Sequence, residues 1–195
     1  MEDKYPNWFK VTAEYNFSKF LAHFKNEPNL NFLQLGVYTG DASVWIIENI
    51  FCNQKCLLTD VDTWLGSDEE LHYGMNFDEV FHIYKNKIQK YFSLVNIKRQ
   101  DTISFLRSNT DTQSNNFYDF VYIDADHKAA NVLIDGELSW NLLKSGGIMA
   151  FDDYDWAMHL HEFQRPKLGI DMFLNKHFKE LDILSINKQV WVKKH

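Results

Sequence analysis

One stretch near the start of the chain, NFLQLGVYTGDAS at residues 31–43, constrains the fold most strongly. It predicts a buried strand, a turn that contains Gly36 and Gly40, and a helix that opens at Asp41. Gly36 permits a tight turn that a Cβ would obstruct, and Gly40 lets a ligand or another backbone approach closely. Because the helix points its free N–H groups over this loop, the stretch predicts a nucleotide-type site. The alternative is a merely tight strand-to-helix turn.

The residues of the loop restrict which nucleotide it could bind. A dinucleotide fingerprint would need glycine in place of Tyr38 and Asp41, and a phosphate-binding Walker loop would need lysine after Gly40. With an acid beside the loop, a polyphosphate is a poor fit. A cationic or neutral nucleoside suits the loop better.

Composition limits the partners and the number of domains. The chain has 195 residues, a net charge of −7 and 45% hydrophobic residues. We expect one domain, with a helical cap at residues 1–28 and an α/β core at residues 29–195. The acidic charge and the lack of a basic run predict that nucleic acid is not a partner. No apolar run is of membrane-spanning length and no secretory signal is evident, so we expect no membrane partner and a cytoplasmic location.

Hydrophobic periodicity predicts a doubly wound, Rossmann-like sheet of seven strands. Five strands alternate with helices, and two more form an antiparallel hairpin at the end of the chain. A helix is predicted at residues 8–24, either packed on the sheet or acting as a lid or dimer element with exposed aromatic residues, which leaves a homo-oligomer open. Residues 108–116 are predicted to form a polar loop.

Acidic residues follow the second and third predicted strands. Asp60 and Asp62 end the second strand and share one face of it, and Asp62 lies closer to the loop edge. An acid at that place can accept hydrogen bonds from the ribose hydroxyls of a nucleoside. Asp101 ends the third strand, where it could accept from an exocyclic amine of the base. A turn acid at Asp62, and a helix cap at Asp101 or Thr102, are the structural alternatives.

Three more carboxylates end the fourth and fifth predicted strands. These strands flank one helix, so they are expected to be parallel and adjacent, which brings Asp124, Asp152 and Asp153 together. Carboxylates that close repel one another unless a cation lies between them, and oxygen ligands suit Mg²⁺. The alternative is that one acid caps a helix while the others face water.

These motifs together resemble class I S-adenosylmethionine-dependent methyltransferases across nearly the whole chain. LQLGVYTGDAS is similar to the first motif of that family, TDVDTWLGS to its ribose-binding acid and RQDTISFL to its adenine-side segment. Three later segments resemble metal-dependent small-molecule O-methyltransferases, in particular those that act on macrolide sugars. They are YIDADH, LLKSGGIMAFDDYDW and RPKLGIDMFL…QVWVKK.

The resemblance implies S-adenosylmethionine as cofactor, Mg²⁺ as metal and a hydroxylated small molecule as substrate. It implies metal ligands at Asp124, Asp152 and Asp153, and catalytic roles for Asp124 and for His127 as base. Cofactor contacts are implied at the following residues: Gln34, Gly36, Tyr38, Gly40, Ser43, Asp62, Asp101, Thr102 and Asp124. Gln34 departs from the family, because the first motif usually begins with an acid.

We therefore predict O-methylation of a sugar or natural-product glycoside hydroxyl, with His127 removing the proton. For His127 the alternative is a helix cap. Three other functions stay open: a metal-independent N- or C-methyltransferase, a nucleic-acid amine methyltransferase, and a catalytically silent cofactor-binding module. The nucleic-acid activity is disfavoured because IDADH replaces an Asn/Asp-Pro-Pro-aromatic motif. Self-association and the identity of the acceptor are not determined by the sequence.

Overall fold

A seven-stranded sheet forms the centre of the structure, a computed structural model that describes residues 4–51, 55–68, 70–110 and 116–195. Its strands run in the order β3-β2-β1-β4-β5-β7-β6. The first five are parallel, and β7 is antiparallel to both β5 and β6. The predicted fold class is therefore confirmed. The strands are β1 (Asn31–Leu35), β2 (Leu57–Asp62), β3 (Val95–Arg99), β4 (Tyr118–Ile123), β5 (Leu143–Phe151), β6 (Leu181–Ile186) and β7 (Val190–Lys194).

Seven α-helices flank the sheet within the described ranges. They are α1 (Trp8–Thr12), α2 (Glu14–Phe20), α3 (Asp41–Asn49), α4 (Phe77–Ile88), α5 (Thr102–Thr110), α6 (Ala129–Leu142) and α7 (Pro166–His177). No helix in the described part of the chain is long and apolar enough to cross a membrane.

Both faces of the sheet are buried, which explains the continuous apolar runs of its central strands. On β1, Phe32 faces one hydrophobic cluster, while Leu33 and Leu35 face the other. The first cluster includes residues from the four helices α1 to α4, and the second includes residues from α5, α6 and α7. This double coverage leaves the carboxyl ends of the parallel strands as the open edge at which a ligand can bind.

The helix predicted at residues 8–24 packs on the sheet as expected, but it is not continuous. The segment forms α1, then α2, then a 3₁₀ turn at Ala22–Phe24, with a break at Ala13 where φ is −113°. Tertiary contacts account for the break. Trp8 in α1 stacks on Tyr38 of the glycine loop, while Phe17 in α2 lies edge-on against Phe120 and Tyr122 of the sheet. The break at Ala13 lets α1 pack on the glycine loop while α2 packs on the sheet.

The polar loop predicted at residues 108–116 begins too early. Helix α5 continues to Thr110, because its apolar face, which includes Phe105 and Leu106, is buried in the second cluster. Residues 111–115 lie outside the described part of the chain.

Candidate functional site

The glycine loop after β1 is held against the end of β4. Gly36 has φ +82°, and a Cβ on it would lie 1.9 Å from the backbone oxygen of Asp124. On its other side, the Gly36 N–H donates to the Val61 oxygen over 2.9 Å. No residue with a side chain fits there without displacing β4. The tight turn expected at Gly36 is confirmed.

Gly40, at the end of the loop, and Ser43, in the first turn of α3, are not among the residues that line the cavity. A Cβ on Gly40, which has φ +79°, would lie 2.6 Å from the ring of Tyr84. The ring of Tyr84 therefore occupies the side of Gly40 on which a Cβ would lie. The hydroxyl of Ser43 is fully buried and donates to Asp60 over 2.8 Å.

Gln34 links this buried layer to the loop. Its amide nitrogen donates to the Gly36 oxygen over 3.0 Å, and its Oε1 lies 3.2 Å from the Ser43 hydroxyl. Below it, burial raises the pKa of Asp60 to about 7, although hydrogen bonds from Ser43 and Tyr84 lower it. A second carboxylate at position 34 would add charge next to a carboxyl group that burial already disfavours as an anion. The carboxamide fits this environment.

Asp62 fastens the glycine loop to the end of β2. Its Oδ2 accepts from the N–H groups of Val37 (2.8 Å) and Tyr38 (3.0 Å). Its Oδ1 accepts from the N–H of Trp64 over 2.7 Å. Three backbone donors are a strong arrangement for a carboxylate. Asp62 lines the cavity, whereas Asp60 does not.

Asp101 and Thr102 lie at the end of β3, on the wall of the same cavity. Asp101 caps α5 by accepting from the Ser104 N–H over 2.8 Å, and these hydrogen bonds lower its pKa. The Thr102 hydroxyl donates to Asp135 over 2.7 Å. Asp135 is buried, which raises its pKa to about 7. The helix cap is thus a property of Asp101, and the predicted contact with a base stays a prediction.

The acids at the ends of β4 and β5 meet, as their parallel pairing requires. Asp124, His127 and Asp153 each offer a ligand atom, and these atoms all lie within 4.8 Å of one another. The His127 Nε2 is 2.9 Å from the Asp153 Oδ2. Asp153 has φ +57°, a left-handed conformation that aspartate tolerates better than most residues.

Mutual repulsion and burial dominate the electrostatics of this cluster. Burial, followed by the charges of Asp152 and Asp153, raises the pKa of Asp124 well above its usual range. Burial and the charge of Asp153 raise the pKa of Asp152 to about 6. Carboxyl groups in this state gain stability from a cation among them. The donor set therefore fits a divalent ion held by carboxylate oxygens.

Asp152 differs from the other two predicted ligands. Its Oδ1 accepts from the Asp153 N–H over 2.8 Å, and its Oδ2 accepts from the Tyr122 hydroxyl. It lines the cavity but is not part of the closest group, in which His127 takes its place. The sequence predicted three aspartates side by side. The structure places two aspartates and an imidazole closest together.

One cavity of about 500 Å³ joins the glycine loop to the acid cluster. Ten of the twelve predicted site residues line it, namely Gln34, Gly36, Tyr38, Asp62, Asp101, Thr102, Asp124, His127, Asp152 and Asp153. Gly40 and Ser43 are the two that do not.

Three tryptophans also line the wall, and sequence reasoning placed the segments of Trp64 and Trp156 beside the site but missed Trp8. Trp8 stacks on Tyr38 with ring centroids 4.6 Å apart, and Trp64 donates from Nε1 to the Tyr38 oxygen over 2.9 Å. Trp156 lies against His127 with ring centroids 4.5 Å apart. The segments that hold Trp64 and Trp156 follow strand ends, which was the available signal. Nothing in the sequence indicated that Trp8 reaches the glycine loop.

A family model described as a methyltransferase domain matches residues 33–154, which span the glycine loop, Asp62 and all the acids of the cluster. The chain belongs to this family. A search of curated proteins finds no match.

Solved structures agree on the fold. An O-methyltransferase from Bacillus cereus in complex with S-adenosylhomocysteine is similar at TM-score 0.66 and 14% identity, covering 93% of this chain and 82% of that one. TomG from Streptomyces achromogenes, in complex with S-adenosylmethionine and involved in tomaymycin synthesis, is similar at TM-score 0.64 and 11% identity, covering 92% and 79%. A Clostridium thermocellum protein provisionally assigned as an rRNA methylase gives TM-score 0.65 and 11% identity, covering 93% and 96%.

Proposed function

We propose that the chain is an S-adenosylmethionine-dependent O-methyltransferase that acts on a hydroxyl of a small molecule. The observation that carries the proposal is the single cavity, which joins a nucleoside-type loop to a cluster of carboxylates and an imidazole. S-adenosylmethionine supplies an electrophilic methyl group on a sulfonium. Because one cavity is lined both by the loop and by the cluster, it can hold this methyl group in line with an acceptor oxygen. Such proximity and orientation supply much of the rate enhancement.

The cofactor contacts are proposed at the wall residues near the loop, namely Gln34, Gly36, Tyr38, Asp62, Asp101, Thr102 and Asp124. We assign Gly40 and Ser43 a supporting role instead, since neither lines the cavity, Gly40 packs on Tyr84 and Ser43 is buried. The two solved neighbours with S-adenosylhomocysteine and S-adenosylmethionine support this cofactor.

A divalent ion, Mg²⁺ in our proposal, would be held by Asp124 and Asp153 with Asp152 beside them. When bound, such an ion polarises a hydroxyl and lowers its pKa. The support is the unfavourable proximity of these carboxyl groups in a partly desolvated site.

His127 is proposed as the general base. In the reaction the acceptor oxygen forms a bond to the methyl carbon, the carbon–sulfur bond breaks, and the hydroxyl proton must leave. An imidazole accepts a proton near neutral pH. The Asp153 carboxylate, 2.9 Å from Nε2, would stabilise the resulting imidazolium.

A sugar or natural-product glycoside remains our proposed acceptor, with nucleic acid disfavoured. The cavity wall is acidic and the chain carries a net charge of −7, whereas binding to a phosphate backbone requires basic residues. The single domain with a cap at residues 1–28 and a core at 29–195, the cytoplasmic location and the absence of membrane partners stay predictions.

The decisive test combines binding with turnover. Calorimetry should show S-adenosylhomocysteine binding, with NAD and ATP much weaker, and transfer of labelled methyl to a panel of aliphatic hydroxyl compounds should occur. Equal binding of NAD would overturn the cofactor. Cofactor binding without turnover of any hydroxylated acceptor would favour a silent binding module.

A further inference from the structure

Apart from two histidines, His72 and His127, the ionisable side chains on the described cavity wall that are charged at neutral pH are all carboxylates, and this bears on the acceptor. Seven aspartates line the cavity, and no lysine, arginine or glutamate lies among the described residues of the wall. The link between wall charge and acceptor rests on the proposed function, because it takes the cavity to hold an acceptor beside the cofactor.

Few of these acids have a lysine or arginine partner. Asp153 lies 2.9 Å from the His127 imidazole, which is positive only when it is protonated. Asp41 is paired with Lys87 over 2.7 Å, and Asp101 feels the charge of Arg107. Asp62 is hydrogen-bonded by backbone N–H groups. Asp126 accepts from the Lys128 N–H over 2.6 Å and from the Asn131 amide over 2.9 Å. Such neutral donors stabilise a carboxylate but leave its charge in place.

Five of the seven carboxyl groups remain once Asp41 and Asp101, which face a lysine and an arginine, are set aside. S-adenosylmethionine brings one net positive charge and a divalent ion brings two. The occupied cavity still has a deficit of positive charge, and low-dielectric walls focus the field of such a cleft. An anionic acceptor would add to the repulsion, and a cationic one would relieve it.

Aromatic rings at the acceptor end favour the same chemistry. Trp156 is half-buried on the wall and lies against His127, next to the acid cluster. The face of an indole ring attracts an ammonium group more strongly than does any other side-chain ring. Acidic and aromatic groups thus surround the place where the acceptor would lie.

We infer that the acceptor carries a protonated amine as well as the hydroxyl that is methylated, with an amino sugar as the simplest member of the class.

Three hexoses that share one ring test this directly: glucosamine, glucose and glucuronic acid, which are cationic, neutral and anionic. Ligand-observed NMR is recorded on protein saturated with S-adenosylhomocysteine and Mg²⁺. We expect glucosamine to bind about tenfold more tightly than glucose, with glucuronic acid weakest. The preference should shrink in 0.5 M salt, since exposed charges are screened at about that concentration.

Two results would overturn the inference. One is that glucose binds as tightly as glucosamine. The other is that no hexose binds at about 20 mM, a concentration at which charge attraction should still be detected. Calorimetry of S-adenosylhomocysteine on the same sample separates the two proposals. Lost cofactor binding counts against the proposed function. Intact cofactor binding without a charge preference counts against the amine alone.

A matched pair of variants sharpens the test. Asp126→Asn removes one wall charge and keeps one of the two oxygen acceptors, and it should lower the ratio of glucosamine affinity to glucose affinity by about two- to fivefold. Asp155→Asn is the control, because Asp155 is exposed and outside the wall. Equal effects of the two substitutions would contradict the inference.

Discussion

The two ends of the cavity hold carboxylates in opposite ways. At the end of β2, Asp62 is surrounded by three backbone N–H donors that the glycine loop and its neighbour provide. At the ends of β4 and β5, Asp124 and Asp153 face each other and Asp152 across a few ångströms. The donors there are one tyrosine hydroxyl, one imidazole and the Asp153 N–H, which donates to Asp152. An acid saturated by amides keeps its charge and positions the backbone. Buried acids that face one another raise each other's pKa, and either a proton or a cation relieves their repulsion.

Removal of divalent ions should give the largest effect, because it acts on the acid cluster, where each carboxyl group has fewer hydrogen-bond donors than Asp62. Chelator should abolish turnover, and Mg²⁺ or Mn²⁺ should restore it, since a Lewis acid contributes several kcal/mol to the stabilisation of the transition state. Calorimetry should find S-adenosylhomocysteine binding unchanged in chelator. Full activity of Asp153→Ala in chelator would make the cluster structural and would favour a metal-independent methyltransferase.

Substitution of the imidazole comes next. His127→Ala should lower kcat by about 10²–10⁴ on an aliphatic hydroxyl, because the proton then has no positioned acceptor. The fold and the affinity for S-adenosylhomocysteine should stay near wild type. The exposed His159, substituted by alanine, is the matched control. A phenolic acceptor would obscure the result, since its hydroxyl ionises more readily. A kcat within about threefold of wild type would remove His127 from the chemistry.

At the other end, Asp62→Ala should weaken S-adenosylhomocysteine binding by about 1.5–3 kcal/mol, the range for hydrogen bonds to a charged group. The loss has two sources, the ribose contact we propose and the release of the loop N–H groups. Calorimetry measures it, with Asp68→Ala as the control on the exposed part of the following loop. An unchanged affinity would show that Asp62 only accepts hydrogen bonds from the backbone and does not contact the cofactor.

The smallest effect is expected at Asp135, a buried carboxyl group outside the acid cluster. It accepts one side-chain hydrogen bond, from the Thr102 hydroxyl, so it tests whether burial with few donors raises a pKa. Its folded pKa of about 7 lies above the usual value, so the folded state binds the proton more tightly than the unfolded state. Its contribution to stability is therefore complete below the unfolded pKa and is lost as the pH rises through about 7. Between pH 5.5 and 8 the loss is about 2 kcal/mol at most.

Asp135→Asn mimics the protonated acid and keeps the oxygen that accepts from Thr102. Urea unfolding at the two pH values should therefore show a smaller decrease in stability for the variant than for wild type. The same pH dependence in both proteins would mean that Asp135 does not hold its proton.

Much of the fold could be predicted from the chain because its signals are local. Apolar runs, glycine turns and strand-end acids predicted seven strands, five of which alternate with helices while two form a hairpin. The predicted adjacency of β4 and β5 brings Asp124 and Asp153 together. The helix at residues 8–24 failed because its break at Ala13 depends on contacts with residues far away in the sequence. Helical spacing alone carries no information about such contacts.

The sequence by itself determined the residues that reach the open edge of the sheet, since alternation and parallel pairing place each strand end. Only the tertiary structure decided what each of those residues does there. It placed Tyr84 under Gly40, buried Ser43 against Asp60, and gave Asp62 its three amide donors. It also brought His127 nearer to Asp153 while Asp152 turned to Tyr122. The physical reason is that hydrogen bonding and burial depend on neighbours that the local sequence does not specify.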